Sequence, residues 1–423
     1  MRRLILAALL LPAPALASET LLRGLTMHLP AAEIVLHNAE ILIDSTGSVR
    51  CLSGEAPRLP VFAQAKPCHE GATEPIIIDF AGKGVAIPNL IEPLTHLGLL
   101  EVDAEDESTD GATGKLANTA QIRAIDGVRS NSRAIVAAQQ AGVGIAVVYP
   151  LGNGLVTGQS AALRTCGGGI DQAIIRSPIA VHARIGHEVK HDDLLTGSRS
   201  GQLAQLRSLL GQAQRLAKAQ KSKVKGTPAE EQSLQQLRDD ASLQPLVEVM
   251  AGRLPLLVYA DHADDIAAVL RLQRELGFRL QIAGGAEAYL VATELAAQHV
   301  PVILTPVVAR PNDFAHLRAV DDAALRLQQA GVELLIASDD THNVRNLRWN
   351  LGLVVHQGVP WAAALRMATV DAARVLGLEP SVVAIAPGLP ANFTVFDGDP
   401  LTYDGHVVWT SCGGTLWPQP QQR

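Results

Sequence analysis

Apolar and polar positions change rhythm twice along the chain. From residue 254 onward, short apolar runs alternate with amphipathic stretches. Residues 254–259 (LPLLVY), 279–283 (RLQIA), 300–305 (VPVILT) and 332–337 (VELLIA) are predominantly apolar runs. Between the first two, Ile266, Val269, Leu270, Leu272 and Leu276 recur at helical spacing, and 286–298, 321–330 and the region from 344 continue as helices. Continuous apolar runs separated by helices of about a dozen residues predict buried parallel strands in βαβ units. The same alternation starts near residue 85, with strands at 85–95, 143–149 and 173–183.

Both ends read differently. Residues 33–43, 76–80 (IIIDF), 393–396 (FTVF) and 406–409 carry β-type patterns with turn residues between them. The expected architecture is α/β: a (β/α)8 TIM barrel over 85–385 with a small β-sandwich domain formed from both chain ends, 18–84 and 386–423. Residues 203–252 form a helical insertion into the barrel. Its Lys218, Lys221, Lys223 and Lys225 read as a solvated face.

Composition sharpens this. Of 423 residues, 48% are hydrophobic and 18% charged, which excludes a disordered chain. A formal charge of −7 excludes a basic nucleic-acid footprint. The apolar excess also raises the question of a membrane. Arg2 and Arg3, the apolar run 4–11 and the Ala15-Leu16-Ala17 site read as a secretory signal peptide over 1–17. No later stretch reaches the roughly 18 uninterrupted apolar residues of a spanning helix. The expected location is therefore periplasmic or extracellular, with no membrane contact after cleavage. Export permits disulfides. Cys51 and Cys68 flank a Pro-rich segment and are expected to pair, whereas Cys166 and Cys412 sit in apolar contexts and read as buried free thiols.

Chemistry in such a barrel sits where strands end. The first barrel strand ends in Leu94-Thr95-His96 and the last in Ser338-Asp339-Asp340. His96 and Asp339 are thereby expected as neighbours across the barrel seam. Both are metal-ligand types, and Asp339 can serve as a base toward water. The acidic run from Glu101 to Asp110 follows the first strand and reads as a solvated loop.

Five stretches resemble the amidohydrolase superfamily, in particular its exported imidazolonepropionase-like branch: 82–98, 131–163, 263–304, 337–348 and 386–401. The resemblance implies a metal-dependent barrel that hydrolyses carbon–nitrogen bonds other than peptide bonds, in cyclic amides or in N-acyl and dipeptide-like compounds. The family's first strand ends His-x-His; here Leu94 takes the first position and His96 the second. Tyr259 and Gly284 stand at the fifth- and sixth-strand His positions, and the stretch of the family's bridging Lys offers His182. Asp339 matches the last-strand Asp.

The implied divalent metal site, for zinc or a similar ion, is then His96, Asp339 and His182, a degenerate set that also leaves the metal's absence open. Asp339 and His96 are the implied catalytic pair. Tyr259, Asp261, His262 and His342 are candidates near the substrate, although Asp261 also reads as a helix cap, His262 as a first-turn surface residue and His342 as a helix-entry residue. His187 and His191 read as loop residues beside the site. Two outcomes remain: a working hydrolase of a small-molecule substrate, or a non-catalytic binding or partner subunit, as a homo-oligomer or joined to an active homologue.

Overall fold

The computed structural model describes residues 19–418, apart from 65, 73, 103–104, 111–116, 167–168, 190–194, 222–226, 310–313 and 414. The leader therefore lies outside the described residues, as do His191, Lys223 and Lys225. Among the described residues no helix is long and apolar enough to cross a membrane.

The chain is a mixed α/β fold. Its first strands are β1 (Thr20–Leu29), β2 (Ile34–Ile43), β3 (Val49–Glu55) and β4 (Ile76–Pro88). Next come β5 (Leu90–Thr95), β6 (Val143–Val148), β7 (Val156–Gln159), β8 (Ala161–Arg164), β9 (Ile174–Arg176) and β10 (Val181–Arg184). Then follow β11 (Leu256–Ala260), β12 (Leu280–Gly284), β13 (Val302–Leu304) and β14 (Leu334–Ile336). The chain closes with β15 (Phe393–Phe396), β16 (Val407–Cys412) and β17 (Thr415–Pro418).

One seven-stranded sheet has the order β17-β16-β15-β4-β1-β2-β3, so strands from the two chain ends are hydrogen-bonded neighbours. β15 pairs antiparallel with β4, Phe393 opposite Pro88. Leu22, Leu25, Met27, Ile41, Phe393 and Trp409 pack against this sheet as one buried cluster.

Two further sheets carry the site. One has the order β14-β13-β12-β11-β10-β7, parallel except for β7; the other is β5-β6-β8-β9, with β5 and β6 parallel. Their strands are short and almost entirely buried, as the apolar runs required. The sheets meet where β5 lies beside the end of β14: Thr95 Oγ1 donates to the Asp340 carbonyl at 2.5 Å, and the Glu92 carboxylate accepts from the Ser338 N–H at 3.0 Å.

Several segments differ from the pattern-based expectation. The run 85–95 is two strands, β4 and β5, that serve different sheets. The run 173–183 breaks into β9 and β10 around Pro178, which fixes its own φ and lacks an N–H for a ladder. The helix expected over 286–298 is a 3-10 turn, Ala288–Val291, followed by a short helix, Ala292–Ala297. The insertion is three helices, Arg199–Lys221, Pro228–Asp239 and Gln244–Met250.

The cysteines are all oxidised among the described residues. Cys51–Cys68 forms as expected. Cys166 and Cys412, read as free thiols, are bridged with Cα atoms 5.8 Å apart. Their 246-residue separation conceals in the sequence that β16 lies against the turn after β8.

Candidate functional site

Five strand ends converge on one buried cluster. β5 delivers His96, β6 delivers Tyr149, β10 carries His182 and Arg184, β11 carries Tyr259, and β14 leads into Asp339. Side-chain alternation decides who faces inward, and β-sheet register does the rest: Arg184 is paired with Tyr259 across β10 and β11, and Ala260 with Gly284 across β11 and β12.

Asp339 is the hub. Tyr149 O–H donates to its Oδ1 at 2.6 Å, and Tyr259 O–H donates to its Oδ2 at 3.1 Å. Its backbone is left-handed, φ +50°, a conformation that strains a non-glycine residue and clusters at functional sites. Burial pushes its carboxyl up to about 6, against the lowering effect of the Tyr149 hydroxyl and the Arg184 charge. The same burial pushes Tyr259 well above the ordinary phenol range, with the Asp339 and Asp261 charges adding to it. Tyr259 is therefore a protonated donor at neutral pH. The Arg184 guanidinium lies 4.9 Å from the centre of the Tyr259 ring, a cation–π distance.

The histidines are dry. His96 is 8% exposed and His182 3%. Burial lowers them to about 4 and about 3, with the Arg184 charge lowering both further, so both are neutral at physiological pH. His96 Nδ1 lies 3.1 Å from the Tyr149 carbonyl. His182 Nε2 is buried with no hydrogen-bond partner among the described residues.

Glu92, which strand-end reading did not single out, is fully buried on β5. Burial raises its carboxyl to about 8, although it accepts the N–H groups of Leu94 and Ser338. Tyr149 and Arg184 were also missed. The rule that found His96, reading each strand's last residues, would have found both at the ends of β6 and β10.

Above this layer is a cavity lined by Arg184, Tyr259, Asp261, His262, Asp265 and His316, among others. Asp261 does not cap the helix Ala263–Leu276. Its Oδ1 instead accepts the Ala286 N–H at 3.2 Å, and the buried Glu287 carboxylate supplies the cap by accepting the Ala263 N–H at 3.0 Å. His262 is not a free surface residue: its Nδ1 is 3.6 Å from Glu287, and its ring packs on Phe314 at 5.5 Å. His316 Nε2 is 3.9 Å from Asp261. His187 lines the same cavity. His342 is exposed and sits at a helix entry, where its N–H donates to Asp340 Oδ1 at 2.8 Å. The acidic loop's Asp110 pairs with Arg129, away from this cluster.

A metal fits these residues poorly. Among the described residues, no three His, Cys, Asp or Glu side chains are arranged to hold one ion. Leu94 is packed in an apolar cluster with Ile91, Ile145 and Val147. At Gly284, with φ +82°, an added Cβ would lie 2.6 Å from Asp261 Oδ1 and 3.0 Å from the Tyr259 ring. Tyr259 and Asp261 thus fill the space that any larger residue at 284 would need.

Residues 259–416 match the model of the amidohydrolase family. Amidohydrolase tasK of Hapsidospora irregularis is 30% identical over 301 residues, 62% of this chain. The chain covers 29% of that relative's length. The amidohydrolase structure from Thermotoga maritima aligns with 95% of this chain and 100% of its own at TM-score 0.79 and 20% identity. The chain is thus similar to amidohydrolases in sequence over 259–416 and in fold over nearly its whole length. A β-aspartyl dipeptidase from Fervidobacterium islandicum, solved with a β-Asp-Leu dipeptide, shares the fold at TM-score 0.50 and 14% identity, over 94% of this chain and 96% of its own.

Proposed function

We propose that this chain is a member of the amidohydrolase superfamily and hydrolyses amide-type carbon–nitrogen bonds in small molecules, of the cyclic-amide, N-acyl or dipeptide-like kind, with Asp339 carrying the proton. One observation carries the reading: a buried carboxylate whose pKa is raised to about 6 sits at a strand end between two phenol donors. A base poised near the working pH is what general acid–base catalysis requires. Asp339 takes a proton from water as the water oxygen bonds to the amide carbon. Arg184 and Tyr259 face the oxygen that gains charge. Asp339 then delivers the proton to nitrogen, the C–N bond breaks, and an acid and an amine leave. No step passes through a metal, because the ligand geometry does not accommodate one.

The reading includes a closed (β/α)8 barrel over 85–385, supported by the Glu92–Ser338 and Thr95–Asp340 contacts between the two sheets. It includes a terminal β-sandwich domain of 18–84 and 386–423. Export after loss of residues 1–17 is supported by the two disulfides, which persist in oxidising compartments.

A second reading is favoured by a separate observation: both Asp339 oxygens already accept an O–H, so this carboxylate is satisfied without substrate. On that reading the chain binds a small molecule, or an active homologue, without turnover. The test is hydrolysis of β-aspartyl, prolyl, N-acyl and cyclic amides by wild type and Asp339→Asn. Turnover that falls roughly 10²–10⁴-fold in the variant supports the proposal. Saturable binding with no turnover of any compound favours the second reading.

A further inference from the structure

We propose a second small-molecule site at the end of the sheet opposite Asp339, built to hold a free α-amino acid by its ammonium and carboxylate groups. Strands β11 to β14 run parallel, so the cluster around Asp339 lies where they end. Where they begin, the length of β12 or about 13 Å away, is a cavity of about 350 Å³. Arg279, Gln281, Gln298, Glu333 and Arg374 line it, among others. Pockets for small ligands start at about 300 Å³.

Gln281 is the unusual residue there. Its ladder partner Leu257 belongs to an apolar cluster with Ala283, Ile303 and Leu335, and Gln281 itself is 3% exposed. Its Nε2 donates to the Val375 carbonyl at 2.9 Å, and its Oε1 has no hydrogen-bond partner among the described residues. Gln298 repeats the pattern. Its Nε2 donates to the Glu294 carbonyl at 3.3 Å, and its Oε1 is buried without a partner among the described residues. A buried acceptor without a donor is costly, and apolar residues at 281 and 298 would avoid the cost. Two such oxygens on one cavity call for a ligand that brings N–H donors. Both oxygens are covered by their surroundings, but the terminal torsion of a Gln side chain is soft, so each amide can turn toward a bound donor.

Charge selects the rest of the ligand. Arg374 is paired with Glu333 at 2.7 Å. Arg279, exposed and one residue before β12, has no side-chain partner among the described residues. The lining thus carries one guanidinium in excess, and a guanidinium takes a carboxylate in a two-bond fork. Ammonium donors for the Gln oxygens and a carboxylate for Arg279, on one small molecule, describe an α-amino acid.

This site does not depend on the proposed hydrolysis, and none of its residues belongs to the Asp339 cluster. Wild type, Arg279→Ala, Gln281→Met and Asp339→Asn are titrated calorimetrically with glycine, L-alanine, L-leucine and L-aspartate, each to about 10 mM. Acetate and methylammonium serve as half-ligands, and circular dichroism verifies folding. At least one amino acid is expected to saturate wild type and Asp339→Asn equally, at about one per chain, and to bind Arg279→Ala and Gln281→Met at least about tenfold more weakly. Wild type that binds none of the four overturns the proposal. So does binding that persists undiminished in Arg279→Ala or in Gln281→Met, binding lost in Asp339→Asn, or acetate bound as tightly as the amino acids. If Gln281→Met does not fold, Gln298→Met takes its place with the same expectation.

Discussion

The two layers of the site differ in burial and in what their polar groups touch. In the inner layer, Asp339 accepts two phenolic hydroxyls at 2.6 and 3.1 Å, and the rings of His96 and His182 pack on Tyr149. At the rim, His262 and His316 stand 3.6 and 3.9 Å from Glu287 and Asp261, beyond hydrogen-bond length. The inner layer is therefore a tightly packed polar cluster in a low-dielectric interior, where one lost partner strands another. The rim is half-open and tolerant. On the proposed function, chemistry and stability are tied together below, and recognition is free to vary above.

The largest test of this contrast is Asp339→Ala. It leaves the hydroxyls of Tyr149 and Tyr259 buried without their acceptor, and each stranded group costs about 1–3 kcal/mol. We expect a loss of about 3–5 kcal/mol in urea unfolding. A loss under about 1 kcal/mol would show that the inner layer is as loose as the rim.

Next is Gly284→Ala, which combines a φ of +82° with a Cβ 2.6 Å from Asp261 Oδ1. An expected cost of about 2 kcal/mol, measured by thermal unfolding, would show how tightly the two layers interlock.

Glu92→Gln probes the carboxylate beneath the seam through pH. The folded pKa of Glu92, about 8, lies above its unfolded value of 4.5. Between these values the folded protein holds a proton that the unfolded chain has released. Stability contributed by the neutral carboxyl is thus complete below pH 4.5 and is lost as pH rises toward 8. Asp339 adds a slope of the same sign only up to about 6. Between pH 6 and 8, the variant should lose a dependence of up to about 1 kcal/mol per pH unit. Equal slopes in wild type and variant would mean that Glu92 is ionised in the fold.

The smallest effect is expected at the rim. His262→Ala should change stability by less than about 1 kcal/mol, because it removes a ring contact and a long ion pair. A larger loss in chemical unfolding would erase the distinction between the layers.

Strand ends were legible because periodicity locates them and a residue's place on a strand decides its face. His96 and Asp339 followed directly, and Cys51–Cys68 followed from a short loop. What the sequence hid depends on contacts between distant segments. Nothing near residue 261 signals that Glu287 caps its helix, or that Asp261 turns away to the Ala286 N–H. Nothing near Cys166 points to Cys412. Tyr149 looks like the end of an ordinary apolar strand, and its meaning comes only from the three residues around it. The substitutions Leu94 and Gly284 read as losses in isolation; the structure shows them as complements, each fitting what its neighbours fill.

The placement of β15 against β4 has a consequence for the order of events in folding. β4 is completed at residue 88, but its partner begins only at residue 393. Until the last thirty or so residues are available, the edge of β4 has no strand beside it, and closing so long a loop is slow. The run Val85-Ala86-Ile87-Pro88, which pairs with Phe396 to Phe393 in the finished fold, is the segment left waiting. A nascent or truncated chain lacking β15 would present it as an open, adhesive edge, so self-association during synthesis is the hazard this topology carries.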